Sequence, residues 1–582
     1  MRKSLQSHAS FLIGMLLLIC TQNTSAEIKI EFDGIKDELE AAARNNLELQ
    51  QYTERQVSPT QVNRLFARAE QEIRTALQPY GYYDARVQGD LRKGEKEGDY
   101  VATFQVTRGD PVVVGELNLV VEGSGKELET VQDAMKAFRP KVGERLEHGA
   151  YEGSKANIAN LLQTNGYFDA KLERRRVEVL QSAKSADIDL AFDSGERYRF
   201  GDVNFGESQF PEEFLRRYIP WEPGEYYTTD KLLTLQQRLV DADYFSSVSV
   251  QPDLERKANG AVPVETLLIP AKRTIYTAAA YVSTDSGPGA RVGVERRWLN
   301  RRGHKIGADV EYSQRLEEFS TFYRIPRPGR RNRNFNFAGG YRDEETDTSR
   351  SRLARIAANE TLDQWHDFTR TIGLQYLNGD FEIADEQRSS SLLYADAMLT
   401  RKRSDDVMFP SRGLSILYGL RLANEGLLSD TSLAQIRAEA KWIRPASKQS
   451  RFIARAALGA MAVDDFDALP PELRFFAGGD RSVRGFDYQQ IGERNATGGV
   501  IGGKYLTVVS AEYEYYFLPK WGAAVFVDAG DAYNSDFNAN VGAGLGVRWR
   551  SPVGLVRVDV ATPVVTDMEE SLRFHIMVGP DL

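Results

Sequence analysis

Cysteine is nearly absent. The 582 residues contain one, Cys20, within the first 26 positions. If that segment is removed, the mature chain has no disulfide, no cysteine zinc site and no thiol nucleophile. Histidine is scarce as well. The five, His8, His148, His304, His366 and His575, show no metal-binding spacing. No Gly-x-Ser-x-Gly elbow occurs. Neither an enzyme nor a cofactor is expected. Basic charge is in deficit: the formal net charge is −9, which makes the chain a poor general binder of nucleic acid. Beyond the N-terminus no segment approaches about 20 consecutive apolar residues, the length of a transmembrane helix. Soluble domains and a membrane β-barrel both remain open. A barrel alternates its apolar residues, so averages hide it, and the mean hydropathy of −0.44 fits either.

Residues 1–26 read as a secretory signal peptide. Arg2 and Lys3 are its basic start, Phe11 to Cys20 its apolar run, and Thr24-Ser25-Ala26 its small-residue cleavage site. Bulky Ile19 argues against a lipoprotein site at Cys20. Losing Arg2 and Lys3 takes the formal charge from −9 to −11.

An internal repeat follows. Gly81-Tyr82-Tyr83-Asp84 recurs as Gly166-Tyr167-Phe168-Asp169, with a degenerate copy at Ala242-Asp243-Tyr244-Phe245-Ser246. Helical stripes precede the copies. Val62, Leu65, Phe66, Ala69, Ile73 and Leu77 form the first, opened by a capping box at Ser58-Pro59-Thr60-Gln61. Leu232, Leu235, Leu239 and Val240 form the stripe of the third. Alternating runs follow the first two copies, Ala85–Leu91 with Tyr100–Thr107, and Lys171–Leu180 with Ala186–Phe192. Repeat starts match too, Gly115–Leu119 against Gly201–Phe205. Each unit reads strand, helices, strand, strand. Such short sheets leave edges able to accept an extended strand.

From about Thr274 helical stripes give way to alternating runs. In Val541–Arg550, one face carries Val541, Ala543, Leu545, Val547 and Trp549. The other carries Gly542, Gly544, Gly546, Arg548 and Arg550. A soluble sandwich would not put two arginines and three glycines on its core face. A barrel in lipid would. Val556, Val558 and Val560 alternate with Arg557 and Asp559, and Leu572–Val578 alternates likewise. Gly542-x-Gly544-x-Gly546 looks like a dinucleotide loop, but no helix follows, so strand packing is the better reading. The basic run Arg324–Arg333 reads as a solvated turn, with an anionic headgroup contact as the alternative. Acidic Asp343-Glu344-Glu345 reads as an exterior loop.

One segment stands apart: Phe475-Phe476-Ala477-Gly478-Gly479-Asp480-Arg481-Ser482-Val483-Arg484-Gly485-Phe486. It is too glycine-rich for a helix and lies between strand-like runs. Val483-Arg484-Gly485-Phe486 resembles the loop-six motif of the outer-membrane protein-insertion and two-partner-secretion porin superfamily. Gly478-Gly479-Asp480-Arg481-Ser482 resembles the TamA family of translocation and assembly module subunits. Asp405–Gly413 and Ser551–Asp559 resemble further turns of that superfamily. The N-terminal repeats resemble POTRA domains.

The resemblance implies a signal peptide (1–26), three POTRA domains (27–110, 111–196 and 197–272) and an outer-membrane barrel (273–582). The fold class is therefore α+β and all-β: three tandem POTRA domains, then a transmembrane antiparallel β-barrel. Counting runs gives about 14 to 18 strands, and the resemblance sets about 16. It implies an assembly factor for β-barrel clients such as autotransporters, with POTRA domains in the periplasm. The expected partners are a TamB-like periplasm-spanning protein reached through the first POTRA domain, unfolded outer-membrane clients and outer-membrane lipid, but no nucleic acid. A two-partner secretion pore is the alternative. Its members usually carry two POTRA domains and a plug helix, and the general barrel-insertion subunit usually carries five.

Two sites follow. In the loop, Gly479, Asp480, Arg481, Val483, Arg484, Gly485 and Phe486 form the lumen motif. Strand parity puts Glu512 and Glu514 on one inward face, and Phe526, Asp528 and Gly530 on another. Phe526-x-Asp528-x-Gly530 also resembles the superfamily motif that receives the loop arginine. The second site is a weak seam between the first and last strands. Ala278, Ala279 and Ala280 lie on one side, and Phe574, Ile576 and Gly579 on the other. Pro580 cannot donate to a ladder. A crosslink between positions near Ala279 and Ile576 is the expected way to lock it.

Overall fold

The structure, a computed structural model, describes residues 28–579 except 54, 56, 96–98, 328–332, 366, 407, 553 and 569–570. The signal-peptide reading, His366, residues 328–332 of the basic run and Pro580 to Leu582 lie outside the described residues. The described chain falls into two compact units. One holds residues up to 201 with 223–230 and 254–262, and the other holds 202–222, 231–253 and 263 onward.

Three small sheets come first. The first contains β1 (Ile28–Asp33), β2 (Arg86–Lys93) and β3 (Tyr100–Thr107), in the order β1-β3-β2. Strands β1 and β3 are parallel, and β2 and β3 antiparallel. Helices α1 (Asp37–Asn46) and α2 (Pro59–Leu77) cross between β1 and β2. The Ser58 side chain caps α2 by accepting the Gln61 N–H at 3.3 Å, and Pro59 occupies the first turn. Val62, Leu65, Ala69, Ile73 and Leu77 bury the helix face against Ala102, Phe104 and Val106 of β3. The two periodicities, helical and alternating, thus meet in one apolar layer.

The second sheet repeats this order with β4 (Val113–Glu122), β5 (Lys171–Leu180) and β6 (Ser185–Asp193), and with α3 (Glu129–Lys136) and α4 (His148–Thr164). The third has β7 (Arg199–Asn204), β8 (Phe245–Pro252) and β9 (Ala261–Pro270), with α5 (Glu212–Arg216) and α6 (Thr229–Asp241). On α6, Leu232, Leu235 and Leu239 are buried, but Val240 is exposed. The stripe expected from the sequence is one residue too wide there, because α6 covers its sheet with a narrower face.

The recurring Gly-Tyr motif has a structural cause. Gly81 and Gly166 take φ of 84° and 90°, which a side chain rarely tolerates. Their carbonyls then accept the N–H groups of Val112 at 2.8 Å and Tyr198 at 2.9 Å. Each copy therefore ties its repeat to the start of the next. The third copy does the same with the barrel. Tyr244 accepts the Ala271 N–H at 3.0 Å, and its hydroxyl donates to the Gly303 carbonyl at 2.6 Å.

Sixteen antiparallel strands, β10 to β25, close a barrel. Those that matter below are β10 (Thr274–Ser283), β14 (Arg333–Glu345), β15 (Ser349–Trp365), β20 (Ser450–Val463), β21 (Tyr505–Tyr515), β22 (Trp521–Tyr533), β23 (Asn540–Ser551), β24 (Gly554–Val565) and β25 (Arg573–Gly579). The fold class expected from the sequence holds. Outward residues such as Leu545, Val547, Val525 and Val527 are exposed, while inward Arg548 and Asp528 are buried. Trp521 and Trp549 stack outside the wall at a centroid distance of 5.6 Å, as an interfacial aromatic pair does. Asp343-Glu344-Glu345 is not a loop. It ends β14 and pairs with Arg352, Ser351 and Arg350 of β15. Arg350 and Arg352 also pair ionically with Asp343, which lets three acids continue the ladder.

Candidate functional site

The 41 residues between β20 and β21 fold back against the inner wall. Val483 and Phe486 are buried with Ala477, Ile491 and Val508 in an apolar cluster that anchors the loop. Gly485 takes φ of 98° with Thr562 and Pro563 backbone atoms against it, so only glycine suits the turn. Gly479 donates its N–H to the Phe486 carbonyl at 3.2 Å and closes the motif on itself.

Arg484 is held on three carboxylates. Its Nε and Nη2 donate to Oδ2 and Oδ1 of Asp528 at 2.7 and 3.0 Å, a two-pronged fork. Nη1 donates to Glu512 at 2.8 Å and to Asp559 at 3.0 Å. The guanidinium lies over the Phe526 ring, 3.4 Å from its centroid. The backbone N–H of residue 484 also donates to Asp528, at 3.1 Å. Gly530 sits opposite Val508 in the β21–β22 register and leaves room beside the apolar anchor.

The network extends beyond the residues that the sequence singled out. Arg548 donates to Glu512 at 2.6 Å, Glu514 at 2.9 Å and Asp559 at 2.5 Å. Arg451 pairs with Glu514 at 2.6 Å and Arg455 with Asp528 at 3.4 Å. Each of the four acids thus meets at least one arginine, which is how buried charge is tolerated. Glu514, on the same inward face as Glu512, meets Arg548 and Arg451 and not Arg484. Arg548 and Asp559 were visible as inward residues of alternating strands. Only the register, Gly546 opposite Asp559 and Asp528 opposite Gly542, brings them together. The inward glycines make space: a Cβ on Gly542 would strike the Arg484 carbonyl, and one on Gly546 the Asp559 carboxylate. Arg481 is exposed and lines a lumen cavity of 530 Å³ that Arg455, Arg484, Glu512 and Asp559 of the lock also line, but it does not enter the ion-pair network described above.

The seam is thin. Strand β10 makes ten residue pairs with β11 (Gly287–Arg296) but one with β25, Ser283 opposite Met577. Beyond it, Thr284 N–H donates to the Ile576 carbonyl at 3.3 Å. Continuing that register brings β25 to its end, Gly579, opposite Tyr281. Ala278, Ala279 and Ala280 therefore line an edge without a β25 partner among the described residues. Ala279 and Ile576 are out of register, so the expected crosslink position is wrong; the Ser283–Met577 register, carried one residue on, sets Val282 against Val578 instead. Phe574 points outward and is exposed, Ile576 is half-buried, and Gly579 pairs with Leu555.

The loop also reaches the seam. Asp480 accepts hydrogen bonds from Ser283 Oγ at 2.8 Å and Thr284 Oγ1 at 2.6 Å, and contacts His575 Nδ1 at 2.7 Å. Asp285 accepts the Asp480 N–H at 2.9 Å. Burial, with the Asp480 carboxylate second, pushes the Asp285 carboxyl up to about 7. Asp285, Asp480 and His575 bring one ligand-type atom each within 4.8 Å of one another, a grouping that sequence spacing did not reveal. Hydrogen bonds occupy both Asp480 oxygens and both His575 nitrogens.

A closed sixteen-strand barrel with a charged loop locked inside defines an outer-membrane class of protein. Residues 299–581 match the Omp85 superfamily domain. Residues 29–108 match the POTRA domain described as TamA domain 1, and residues 198–265 match POTRA, the surface antigen variable number repeat. Residues 299–581 thus form an Omp85 superfamily domain preceded by POTRA domains; the barrel lies in the outer membrane and the POTRA domains in the periplasm. The outer membrane protein assembly factor BamA of Nitratidesulfovibrio vulgaris is 20% identical over 546 residues, 86% of this chain and 66% of that protein. BamA of Neorickettsia risticii is 23% identical over 550 residues, 85% and 70% of the two chains. This chain thus spans slightly less than two thirds of the first relative's length. The crystal structure of Haemophilus ducreyi BamA lacking POTRA domains 1-3 has the same fold, with a TM-score of 0.66 at 16% identity, over 80% of this chain and 99% of that one.

Proposed function

We propose that the chain is a TamA-type assembly factor that helps β-barrel clients, autotransporters above all, into the outer membrane without covalent chemistry of its own. The seam carries this reading. Along Thr274–Ala280, β10 offers backbone donors and acceptors to no β25 residue among those described. Such groups cost several kcal/mol each when bare in hydrocarbon. A client strand that pairs there satisfies its own backbone and the edge together. Client folding then supplies the driving force.

The TamA-type match of the first POTRA domain supports the finer assignment. In that reading, a TamB-like periplasm-spanning partner docks on it. With the repeats periplasmic, eleven strands precede the loop, so the loop enters the lumen from the outer side. Its buried lock then stiffens the wall formed by β20 to β24 and leaves the seam as the weak place.

A disulfide between Val282→Cys and Val578→Cys tests the proposal, since the chain has no cysteine other than Cys20. The crosslinked barrel should stay folded and heat-modifiable but lose client assembly, which reduction restores. Full assembly by a verified crosslinked protein would refute lateral opening. Continued export of a soluble protein through the locked barrel would favour a two-partner secretion pore.

A further inference from the structure

The Asp480 carboxylate belongs to the loop, yet its donors come from both seam strands. Ser283 and the following Thr284 lie on the β10 side, and His575 lies on β25. The geometry points to Asp480 and His575 as positioning residues that clasp the seam shut, so that loop docking and seam closure form one event. This rests on the seam reading above and adds what holds the seam.

Three features make the clasp specific. First, the His575 ring is oriented at both ends. Its Nε2 accepts the Gly485 N–H at 2.9 Å, so its proton sits on Nδ1 and donates to Asp480. Gly485 adjoins Arg484, which links the clasp to the wall lock. Second, Thr284 relays a bond across the gap. Its Oγ1 accepts the Ile576 N–H at 3.2 Å while donating to Asp480 at 2.6 Å. A hydroxyl that donates to a carboxylate is a better acceptor, so the two bonds reinforce each other. Third, little else joins these strands. The ladder supplies the single pair Ser283–Met577. Asp480 is 4% exposed and His575 6%, so water competes poorly for these bonds.

The clasp sits at the outer end of β10, where the ladder is present. The open edge, Thr274–Ala280, lies toward the periplasmic end. A client strand can thus start on the free edge and meet the clasp last. Withdrawal of Asp480 would release three side-chain bonds at once.

The test places nitroxides at Val282→Cys and Phe574→Cys, both exposed on the outer face, and reads their separation by pulsed electron spin resonance. Asp480→Ala and His575→Leu should raise the fraction of long distances at least about tenfold, as expected for losing a hydrogen bond to a charged group. His575→Gln offers one donor and one acceptor on the same side chain and should stay near wild type. If Asp480→Ala fails to insert, the two His575 variants decide. An unchanged distribution in folded Asp480→Ala, or equal opening by His575→Gln and His575→Leu, would overturn the clasp. Client assembly is measured on the same proteins. Opening without any change in assembly supports the clasp and counts against the seam's role in function. An unchanged distribution alongside a blocking Val282–Val578 crosslink overturns the clasp alone.

Discussion

Arg484→Ala should unseat the loop, and the structure sets the size of the effect. The side chain is 4% exposed and that of Asp528 is fully buried. Breaking a buried ion pair by removing one partner costs about 3–5 kcal/mol. The neighbours decide where in that range this site falls. Glu512 and Asp559 keep Arg548, at 2.6 and 2.5 Å. Asp528 keeps one weaker cation, Arg455 at 3.4 Å, beside the backbone N–H of residue 484 and the Ser510 side chain. The orphaned charge is therefore mainly that of Asp528, and the low end, about 3 kcal/mol, applies. That is a shift of roughly a hundredfold in the seated-to-unseated ratio. Arg484→Lys keeps the charge but loses the fork, so about 1–2 kcal/mol is expected. Trypsin cleavage after Arg481 reads this directly, because Arg481 is exposed but confined within the lumen. When opening is fast relative to cleavage, the rate follows the unseated population. The expected order of rates is wild type, then Lys, then Ala. The Arg484→Ala, Asp528→Ala pair should be less harmful than the sum of its single changes. Cleavage of Arg484→Ala within about twofold of wild type, at a site where opening controls the rate, would refute the argument.

Gly542→Val should displace the loop even though valine favours strands, because the Arg484 carbonyl occupies the Cβ position. The overpacking cost is about 1–3 kcal/mol, read by the same cleavage assay. Deleting residues 28–109 should abolish partner coupling but leave a heat-modifiable outer-membrane barrel, because the first repeat owns its core around Leu65, Ile73 and Phe104; a truncation that does not insert would contradict this. Between the second and third repeats, Lys257 and then Tyr198 hold the Asp169 carboxyl below the usual carboxylate range. Stability from a lowered carboxylate pKa is present above the unfolded value and lost as pH falls through the folded one, so hydrogen exchange around Tyr198 should quicken below about pH 4. The step should be small, since Asp169 is nearly half exposed, and absent in Asp169→Asn.

Alternation made much of this legible. A period of two fixes which face a residue takes, so Val541 to Arg550 declared a lipid side and a lumen side before any strand was paired. The same parity turned Glu512, Phe526 and Asp528 toward one interior. Register was not legible, because it depends on strand stagger around the whole barrel. Arg548, Asp559, Arg451 and Arg455 were therefore missed as members of the lock, and Ala279 was set against the wrong residue of β25. Three acids at the end of β14 looked like a loop because their neutralising partners, Arg350 and Arg352, stand on the next strand. Asp480 and His575 lie 95 residues apart, and nothing in local pattern joins them.

The central claim is that a client strand adds to the free edge of β10. Single cysteines along Thr274–Ala280 can be paired with single cysteines in the last strand of a stalled barrel client. Disulfides should form at alternating positions in one fixed antiparallel or parallel register. Crosslinks confined to lumen residues such as Leu417, which lines the cavity, would show a chain passing through the pore and would contradict it.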